Sequence, residues 1–422
     1  MSHPSIDLAP VDAGRLRVEL QAFARIGYSA DGSINRLAFT RPDLRARQVL
    51  MHRLRSLGLA PRVDAFGNVF GRLPGARDPE LSPVLIGSHL DTVPGGGRFD
   101  GSAGVVAALE VAAVLRERGP VLGRAVEIVS FACEESSRFG RATLGSGLVA
   151  GTWDPGEVLT LRDARGVTLG QVLARLGLNP DRLADVRRNP GDYTAYLELH
   201  IEQGRVLEES GSRLGVVEAI AAPTRLRVDI AGRADHSGAT PMPLRRDALA
   251  GAAEVILAVE RIGRRASGVV ATVGVIRAEP NAMNVVPGRV ELGIDIRSTD
   301  PTRKAEVAAA VQQEIAAIAQ ARSLQSIPHV LSDEAPVTLD PRVVDVLERA
   351  AAARGVPAVR MASGAGHDAM QMARLCPAGM LLVPSRAGIS HNREEWTPVP
   401  DIAAGTQVLL DAVLHVAEHG VR

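Results

Sequence analysis

Two short runs rich in apolar residues, residues 84–86 and 126–132, most constrain how this chain folds. A run rich in Val, Ile and Leu is typical of a strand that is buried on both faces of a parallel sheet. Between them, residues 103–118 have the composition of an apolar helix that ends at Gly119-Pro120. Strands and helices that alternate in this way predict an α/β domain with a mainly parallel sheet.

The middle of the chain has a different texture. Three runs alternate apolar with polar side chains, as strands with one solvated face do: 224–230, 269–276 and 290–296. Helical patterns lie among them at 246–263 and 302–322, and a last strand is expected near 329–332. We therefore predict an α/β domain formed by residues 1–215 and 332–422, with an α+β sandwich domain inserted at residues 216–331.

Composition excludes several classes of protein. Lys+Arg and Asp+Glu both number 48, which gives no electrostatic case for binding nucleic acid or an anionic membrane. Two cysteines cannot build a disulfide scaffold, and a free thiol pair fits a reducing compartment. We find no signal peptide and no apolar run near the ~20 residues that span a bilayer. The expectation is a cytoplasmic protein.

A first group of candidate metal ligands follows the run 84–86. His89 stands at the carboxyl end of this predicted strand, where open parallel sheets place their sites. Asp91 can reach back to orient the imidazole, as carboxylates do for metal-bound histidines. Asp100 follows the glycine run 95–97 and is free to approach the same point. Taken alone, His89 would be a histidine at a strand end whose hydrogen bonds are satisfied, and the glycines would form a turn.

Other strand-like segments end in similar side chains. Glu134 and Glu135 follow the run 126–132, and adjacent acids there are costly to bury unless they pair or bind cations. Taken alone, they would be solvated charges that open a loop. His200 and His391 hold comparable positions later in the chain. Three histidines with two or more acids exceed one closed zinc site and suit two divalent ions bridged by a carboxylate and a water.

Seven segments, in order, resemble those of one known family. They read GSHLDTVPGGGRFDG, FACEESSRFG, ELHIEQG, ADHSGATPM, NVVPGRVELGIDIR, SGAGHDA and GISHN. These are similar to the amidase branch of the dinuclear metallopeptidase (M20) clan, which comprises N-carbamoyl-L-amino-acid hydrolases, β-ureidopropionases and allantoate amidohydrolases. Aminopeptidases and dipeptidases of the clan share the His-x-Asp and Glu-Glu elements, whereas HIEQG and GGGRFDG look more like the amidase branch.

The resemblance implies a role for each motif residue. It implies a metal pair in which His89, Asp100 and His200 hold one ion, Asp100 bridges, and Glu135 and His391 complete the other. Glu134 would be the general base, and Asp91 would stand behind the ligands. The implied substrate contacts are Gln203, His236, Asn284, Arg297 and the glycine loop 364–366 with Gly366. The inserted domain would form a homodimer and close over the active site, so His236 and Asn284 would serve a neighbouring subunit.

Several of these residues have ordinary readings when taken singly. Arg297 suits bidentate binding of a carboxylate, yet alone it would be a surface ion-pair residue. Asn284 alone would be a turn residue, and His236 a capping or surface histidine. The pair His367-Asp368 is open between a catalytic role, support of the site and a helix N-cap, and we favour support.

The resulting functional expectation is metal-dependent hydrolysis of a linear amide in an N-carbamoyl (ureido) carboxylate, releasing an amino acid, carbon dioxide and ammonia. The ions expected are Zn²⁺ or Mn²⁺, and Ni²⁺ or Co²⁺ also suit such ligands. The alternatives are an allantoate amidohydrolase, a metallo-aminopeptidase or dipeptidase, and an inactive binding protein on the same fold. A peptidase would need an acidic group for a free α-amine, whereas Arg297, Asn284 and Gln203 favour an anion.

Overall fold

The computed structural model describes residues 10–73 and 76–421. The chain divides into two compact units, Met1–Glu218 with Leu339–Arg422, and Ala219–Thr338. The boundaries therefore fall at 218/219 and 338/339, where the sequence suggested 215/216 and 331/332.

The strands and helices, in chain order, are these. The strands are β1 (Ala60–Val63), β2 (Val69–Arg72), β3 (Val84–His89), β4 (Val126–Phe131), β5 (Ala195–Ile201), β6 (Leu214–Ile220), β7 (Ala222–Ala231), β8 (Asp235–His236), β9 (Val269–Glu279), β10 (Val285–Val286), β11 (Arg289–Ser298), β12 (Gln325–Asp333), β13 (Val337–Thr338), β14 (Ala358–Ser363) and β15 (Ala378–Val383). The helices are α1 (Ala13–Ala24), α2 (Arg41–Ser56), α3 (Ser102–Arg118), α4 (Leu144–Ala150), α5 (Pro155–Thr160), α6 (Leu169–Arg175), α7 (Val206–Ser210), α8 (Ala248–Arg265), α9 (Pro301–Ala321), α10 (Pro341–Ala353), α11 (Asp368–Met372) and α12 (Val399–His419). Short 3₁₀ turns lie at Pro180–Val186, Met242–Leu244 and Arg386–Gly388.

The first unit is built on a sheet with the strand order β1-β2-β4-β3-β5-β15-β6, and β14 pairs with β6. The central strands β4, β3, β5 and β15 are parallel, and antiparallel strands flank them on both sides. This confirms the predicted α/β architecture. Because parallel strands end at the same edge, the carboxyl ends of these four strands lie side by side.

Helices α3 and α12 form the core of the first unit against this sheet. Helix α3 packs on β3, β4 and β5, and α12 packs on β5, β15 and α3. By length and composition alone, α12 is apolar enough to cross a membrane. The expectation that no segment reaches that length was therefore too strict. Its apolar side chains are nevertheless buried against the sheet and α3, as in the core helix of a globular unit.

The second unit is an antiparallel sheet with the order β12-β7-β11-β9, covered on one face by α8 and α9. Alternate residues of β7 and β11, such as Val228 and Leu292, are buried under these helices. The opposite face carries ion pairs such as Arg225–Asp295, at 3.0 Å. The alternating runs thus form the predicted α+β sandwich. The short strands β8 and β10 form a separate pair.

Candidate metal centre

The parallel strands bring the candidate ligands to one edge of the first unit's sheet. His89 is the last residue of β3, His200 is the penultimate residue of β5, and Glu134 and Glu135 follow β4. His391 follows β15 after a connecting segment. All of these are buried except His391, whose side chain is 50% exposed.

Asp100 lies at the centre of this cluster. Its Oδ1 is 3.4 Å from Nε2 of His89 and 3.3 Å from Nε2 of His200. Its Oδ2 is 3.1 Å from Nε2 of His391, which is in turn 3.4 Å from Oε1 of Glu135. The two oxygens of one carboxylate therefore face two separate three-residue groups, and Asp100 belongs to both.

These spacings fit metal ligation. Ligands roughly 2.0–2.1 Å from a tetrahedral ion lie about 3.3–3.4 Å from one another. The inner group, His89, Asp100 and His200, shows ligand-atom separations of 3.3 and 3.4 Å, on the long side for hydrogen bonds. Imidazole nitrogen and carboxylate oxygen are the donors that first-row divalent ions accept. The residues present therefore fit a pair of divalent cations that share Asp100.

Attraction between the Asp100 carboxylate and the three histidines stabilises the cluster. Burial would raise the pKa of Asp100, but hydrogen bonds from His200, His391 and His89 outweigh it and hold that pKa well below its usual value. Hydrogen bonds to Asp100 and Glu135 raise the pKa of His391 to about 11.

Glu134 stands at the edge of the inner group. Its Oε2 is 3.7 Å from Nε2 of His89, and it belongs to neither ligand set. Burial, opposed by the charge of His89 and reinforced by Glu135 and Asp368, raises the pKa of Glu134 well above its usual value. A buried carboxylate beside the ligands, but outside both ligand groups, is suited to accept and return a proton.

Main-chain carbonyls orient the two inner imidazoles. Nδ1 of His89 lies 3.0 Å from the carbonyl of Asp91, and Nδ1 of His200 lies 3.0 Å from that of Ile201. The expectation that the Asp91 carboxylate orients His89 was wrong, since its Oδ1 is 3.8 Å from Nδ1. The carboxylate instead accepts the backbone N–H groups of Glu134 and Glu135, at 3.1 and 3.0 Å. It fixes the turn that presents the two acids.

Gln203 lies beside the outer group. Its Nε2 donates to Oδ2 of Asp100 at 2.7 Å and lies 3.3 Å from Nε2 of His391. Gln203, His391 and Cys133 all have left-handed backbone conformations, with φ of 59°, 54° and 58°. Non-glycine residues hold such strain where the surrounding structure imposes it, as at functional sites. Contact between Gln203 and a substrate stays a prediction.

Glu395 is a functional residue that the sequence did not single out. It is buried, and its Oε1 accepts the N–H groups of Phe99 and Asp100 at 2.7 and 3.1 Å. Its Oε2 accepts the hydroxyl of Ser390 at 2.9 Å. Glu395 therefore ties the Asp100 segment to the His391 segment. A Cβ on Gly97 would lie 2.2 Å from Glu395, which explains one of the glycines before Asp100.

The pair His367-Asp368 lies directly behind the inner group. The ring of His367 packs edge-on against His200 at 4.6 Å between centroids, and its Nε2 lies 2.7 Å from Oγ of Ser363. Asp368 accepts the hydroxyl of Ser146 at 2.5 Å, and burial raises its pKa to about 8. His367 makes no side-chain cap to α11. These contacts fit the supporting role that the sequence favoured.

The second unit holds the other substrate-binding candidates in two places. His236 is exposed on β8, and Asn284 is next to it, since the N–H of Ser237 donates to the carbonyl of Asn284 at 3.0 Å. Arg297 pairs with Asp295 at 2.8 Å near the far end of β11. Eight residues of strand, roughly 26 Å, separate Arg297 from the end of β11 that follows Asn284. The three therefore form no single cluster within this unit. Gly366 lies in the first unit, just before α11.

Comparisons with known proteins agree with this geometry. A family profile described as Peptidase family M20/M25/M40 matches residues 85–415. An N-carbamoyl-L-amino acid amidohydrolase of Geobacillus stearothermophilus is 40% identical over 97% of this chain and 99% of its own. A ureidoglycolate hydrolase of Arabidopsis thaliana is 37% identical over 96% and 87%, and an allantoate amidohydrolase of Bacillus subtilis is 36% identical over 94% and 96%.

The fold has a close counterpart among solved structures. A crystal structure of an amidase of the hydantoinase/carbamoylase family from Burkholderia multivorans superposes with a TM-score of 0.89 and 38% identity. It covers 97% of this chain and 98% of that chain. The family resemblance read from the seven motifs is thereby confirmed.

Proposed function

Because the chain belongs to peptidase family M20/M25/M40, we propose that it is a metal-dependent amidohydrolase that cleaves N-carbamoyl amino acids. The products would be the amino acid, carbon dioxide and ammonia. The observation that carries this proposal is the Asp100 carboxylate, whose two oxygens face two ligand groups beside the buried Glu134. The alignments with the N-carbamoyl-L-amino acid amidohydrolase and the allantoate amidohydrolase cover 97% and 94% of this chain.

The chain's own residues supply the proton transfers. Divalent ions held by the two ligand groups would supply a water of lowered pKa as the nucleophile. Glu134 takes the proton of the attacking water and returns it to the leaving nitrogen. Its buried position beside the inner ligand group, 3.7 Å from Nε2 of His89 and outside both ligand groups, suits it to hold the proton between the two steps. A ureido carbonyl is a poor electrophile, so its developing oxyanion needs a strong donor, and we assign this to the imidazole of His236.

We further propose that the enzyme is a homodimer formed through the second unit. Strand β9 lies at one end of that unit's sheet, and Val270 and Ile276 on it are 62% and 51% exposed. Exposed apolar residues on an outer strand favour pairing with another chain. His236 and Asn284 would then act in the partner subunit's cleft.

Mixed dimers test this arrangement. Glu134→Gln and His236→Ala should each inactivate their own homodimers. After subunit exchange, a mixed dimer has one site with both groups intact, so a statistical mixture should recover about a quarter of wild-type activity. Recovery of none would contradict the shared site, while activity of His236→Ala alone would contradict the role of His236.

Activity assays with different metals and substrates test which ion the enzyme uses and which compound it cleaves. The purified protein is stripped with a chelator and reloaded with Mn²⁺, Zn²⁺, Ni²⁺ or Co²⁺, and ammonia release is measured. We expect Zn²⁺ or Mn²⁺ to restore hydrolysis of N-carbamoyl-L-amino acids. A higher kcat/KM on allantoate, ureidoglycolate or N-carbamoyl-β-alanine would show that this compound is the preferred substrate. Activity on dipeptides alone would refute the proposal.

We place the enzyme in the cytoplasm. Both cysteines, Cys133 and Cys376, are free and buried. Reduced thiols of this kind are typical of reducing compartments. Fractionation of the native host would test this placement, and recovery in a membrane or secreted fraction would contradict it.

A further inference from the structure

A cavity lies in the first unit, and none of its lining residues belongs to the two ligand groups. Its volume is about 340 Å³, within the range of small-molecule sites. The walls come from α1, the residues just before Asp100, and the start of α12. The main apolar lining consists of Leu20, Phe99, Trp396, Pro398, Val399 and Pro400.

The apolar walls are rigid. The rings of Phe99 and Trp396 meet edge to face, 5.5 Å apart at 86°. Proline residues 398 and 400 have little conformational freedom to lose. A wall of this kind binds an apolar or aromatic group at low entropic cost.

The polar lining is positive. Arg17 and Arg98 line the cavity, and no aspartate or glutamate does. Within residues 10–73 and 76–421, neither guanidinium has a hydrogen bond or an ion pair, and Arg98 is half-buried. Arg386 does not line the cavity, but its guanidinium stacks on the ring of Trp396, 5.4 Å from the ring centroid. Such a site attracts a carboxylate and repels an ammonium group.

The walls are joined to the metal centre by the chain itself. Phe99 immediately precedes Asp100, and Trp396 immediately follows Glu395. Glu395 accepts the N–H groups of both Phe99 and Asp100. A ligand that packs against either ring therefore presses on the segments that carry Asp100, which belongs to both ligand groups, and Glu395, which holds it.

We propose that this cavity is an effector site for a small monocarboxylate with an apolar or aromatic body. Its occupancy changes turnover at the metal centre through Phe99 and Glu395. An N-carbamoyl derivative of an apolar amino acid has this chemistry, whereas the zwitterionic free amino acid does not, so the site would respond to substrate and not to product. The identification of the substrate as the effector rests on the proposed function, whereas the proposal that the cavity binds a monocarboxylate does not.

Tryptophan fluorescence reports binding directly, because the chain has only two tryptophans, Trp153 and Trp396. The metal-loaded Trp153→Phe protein is titrated with 3-phenylpropionate. We expect a saturable change in Trp396 emission, with binding at least about tenfold weaker for neutral 3-phenylpropionamide. In a wild-type background, Trp396→Phe should abolish the response.

Arginine variants supply the control. Removing both guanidinium groups in an Arg17→Ala/Arg98→Ala protein should weaken binding at least about tenfold. Arg175→Ala removes an exposed arginine of α6 outside this cavity and should change nothing. No change in Trp396 emission, or a response that survives loss of both arginines, would overturn the site. Hydrolysis plays no part in this readout, so its failure is distinct from failure of the proposed enzyme.

Turnover tests the effector role. Competition at the metal centre raises KM and leaves kcat unchanged, whereas occupancy of the cavity should change kcat for a small substrate such as N-carbamoylglycine. The kcat change should disappear in Arg17→Ala/Arg98→Ala; an unchanged kcat at saturation would overturn the effector role. In the Glu134→Gln protein, Trp396 fluorescence is measured with N-carbamoyl-L-phenylalanine, L-phenylalanine and 3-phenylpropionate. A response to the N-carbamoyl compound but not to L-phenylalanine would identify the substrate as the effector. A response to 3-phenylpropionate alone would identify an unrelated carboxylate as the effector.

Discussion

Replacing Glu395 with alanine should damage the metal centre although Glu395 lies in neither ligand group. The change removes the acceptor for the N–H groups of Phe99 and Asp100, and for the hydroxyl of Ser390. The hydroxyl can turn to Oδ2 of Asp100, 3.3 Å away, which leaves two orphaned donors. Each buried N–H group that lacks an acceptor costs about 1–3 kcal/mol. Water that enters the space left by the side chain would satisfy part of this need, so the total cost for the two groups is about 2–3 kcal/mol.

That energy corresponds to a loss of roughly 30- to 150-fold in the population of the correctly placed Asp100 segment. Metal affinity is measured by competition with a chelating indicator, and kcat by ammonia release at saturating metal. Glu395→Gln keeps an oxygen acceptor for the two N–H groups and should lose far less. Glu394→Ala is the matched control, because this neighbouring acid is exposed. If Glu395→Ala behaves like Glu394→Ala in both assays, the positioning argument is refuted.

Three further changes test other parts of the site. Glu134→Gln should keep both metals bound and lose several orders of magnitude in kcat; near-normal turnover would remove its assigned role. Arg297→Ala should raise KM for carboxylate substrates more than Arg277→Ala, which breaks an exposed ion pair on the same sheet, and an unchanged KM would count against Arg297. The pKa of Asp368, about 8, lies above its unfolded value, so the folded protein binds more protons and its stability falls as pH rises through this interval. Asp368→Asn should reduce that fall in urea unfolding of the metal-free protein between pH 6 and pH 8; identical slopes would contradict the burial argument.

Much of the fold could be read from the sequence because its patterns are local. The two short runs rich in apolar residues form β3 and β4, and the alternating runs form β7, β9 and β11. The five ligand candidates could be named because each stands at or after the end of a strand, and parallel strands share an edge. The five side chains converge because the strands that carry or precede them end at the same edge of the sheet.

What escaped prediction depends on contacts between distant segments. Glu395 and its partner Asp100 are 295 residues apart, and nothing local distinguishes it from Glu394. The carboxylate of Asp91 turned to the backbone of Glu134 because a side-chain direction after a strand end cannot be read from spacing. The position of His236 beside Asn284 depends on the pairing of β8 with β10, and strands of two residues are too short to give a readable sequence pattern.

The two halves of the ligand cluster differ in their access to solvent. His89 and His200 are almost fully enclosed, while the imidazole of His391 is half open to water and sits on a strained backbone. A cation held by the outer group would exchange with the medium far faster than its inner neighbour. Brief treatment with a chelator would therefore remove only the outer ion and yield singly loaded protein. In a purified preparation, the ion at the outer position would be the one supplied by the last buffer, while the ion at the inner position would be the one bound during folding.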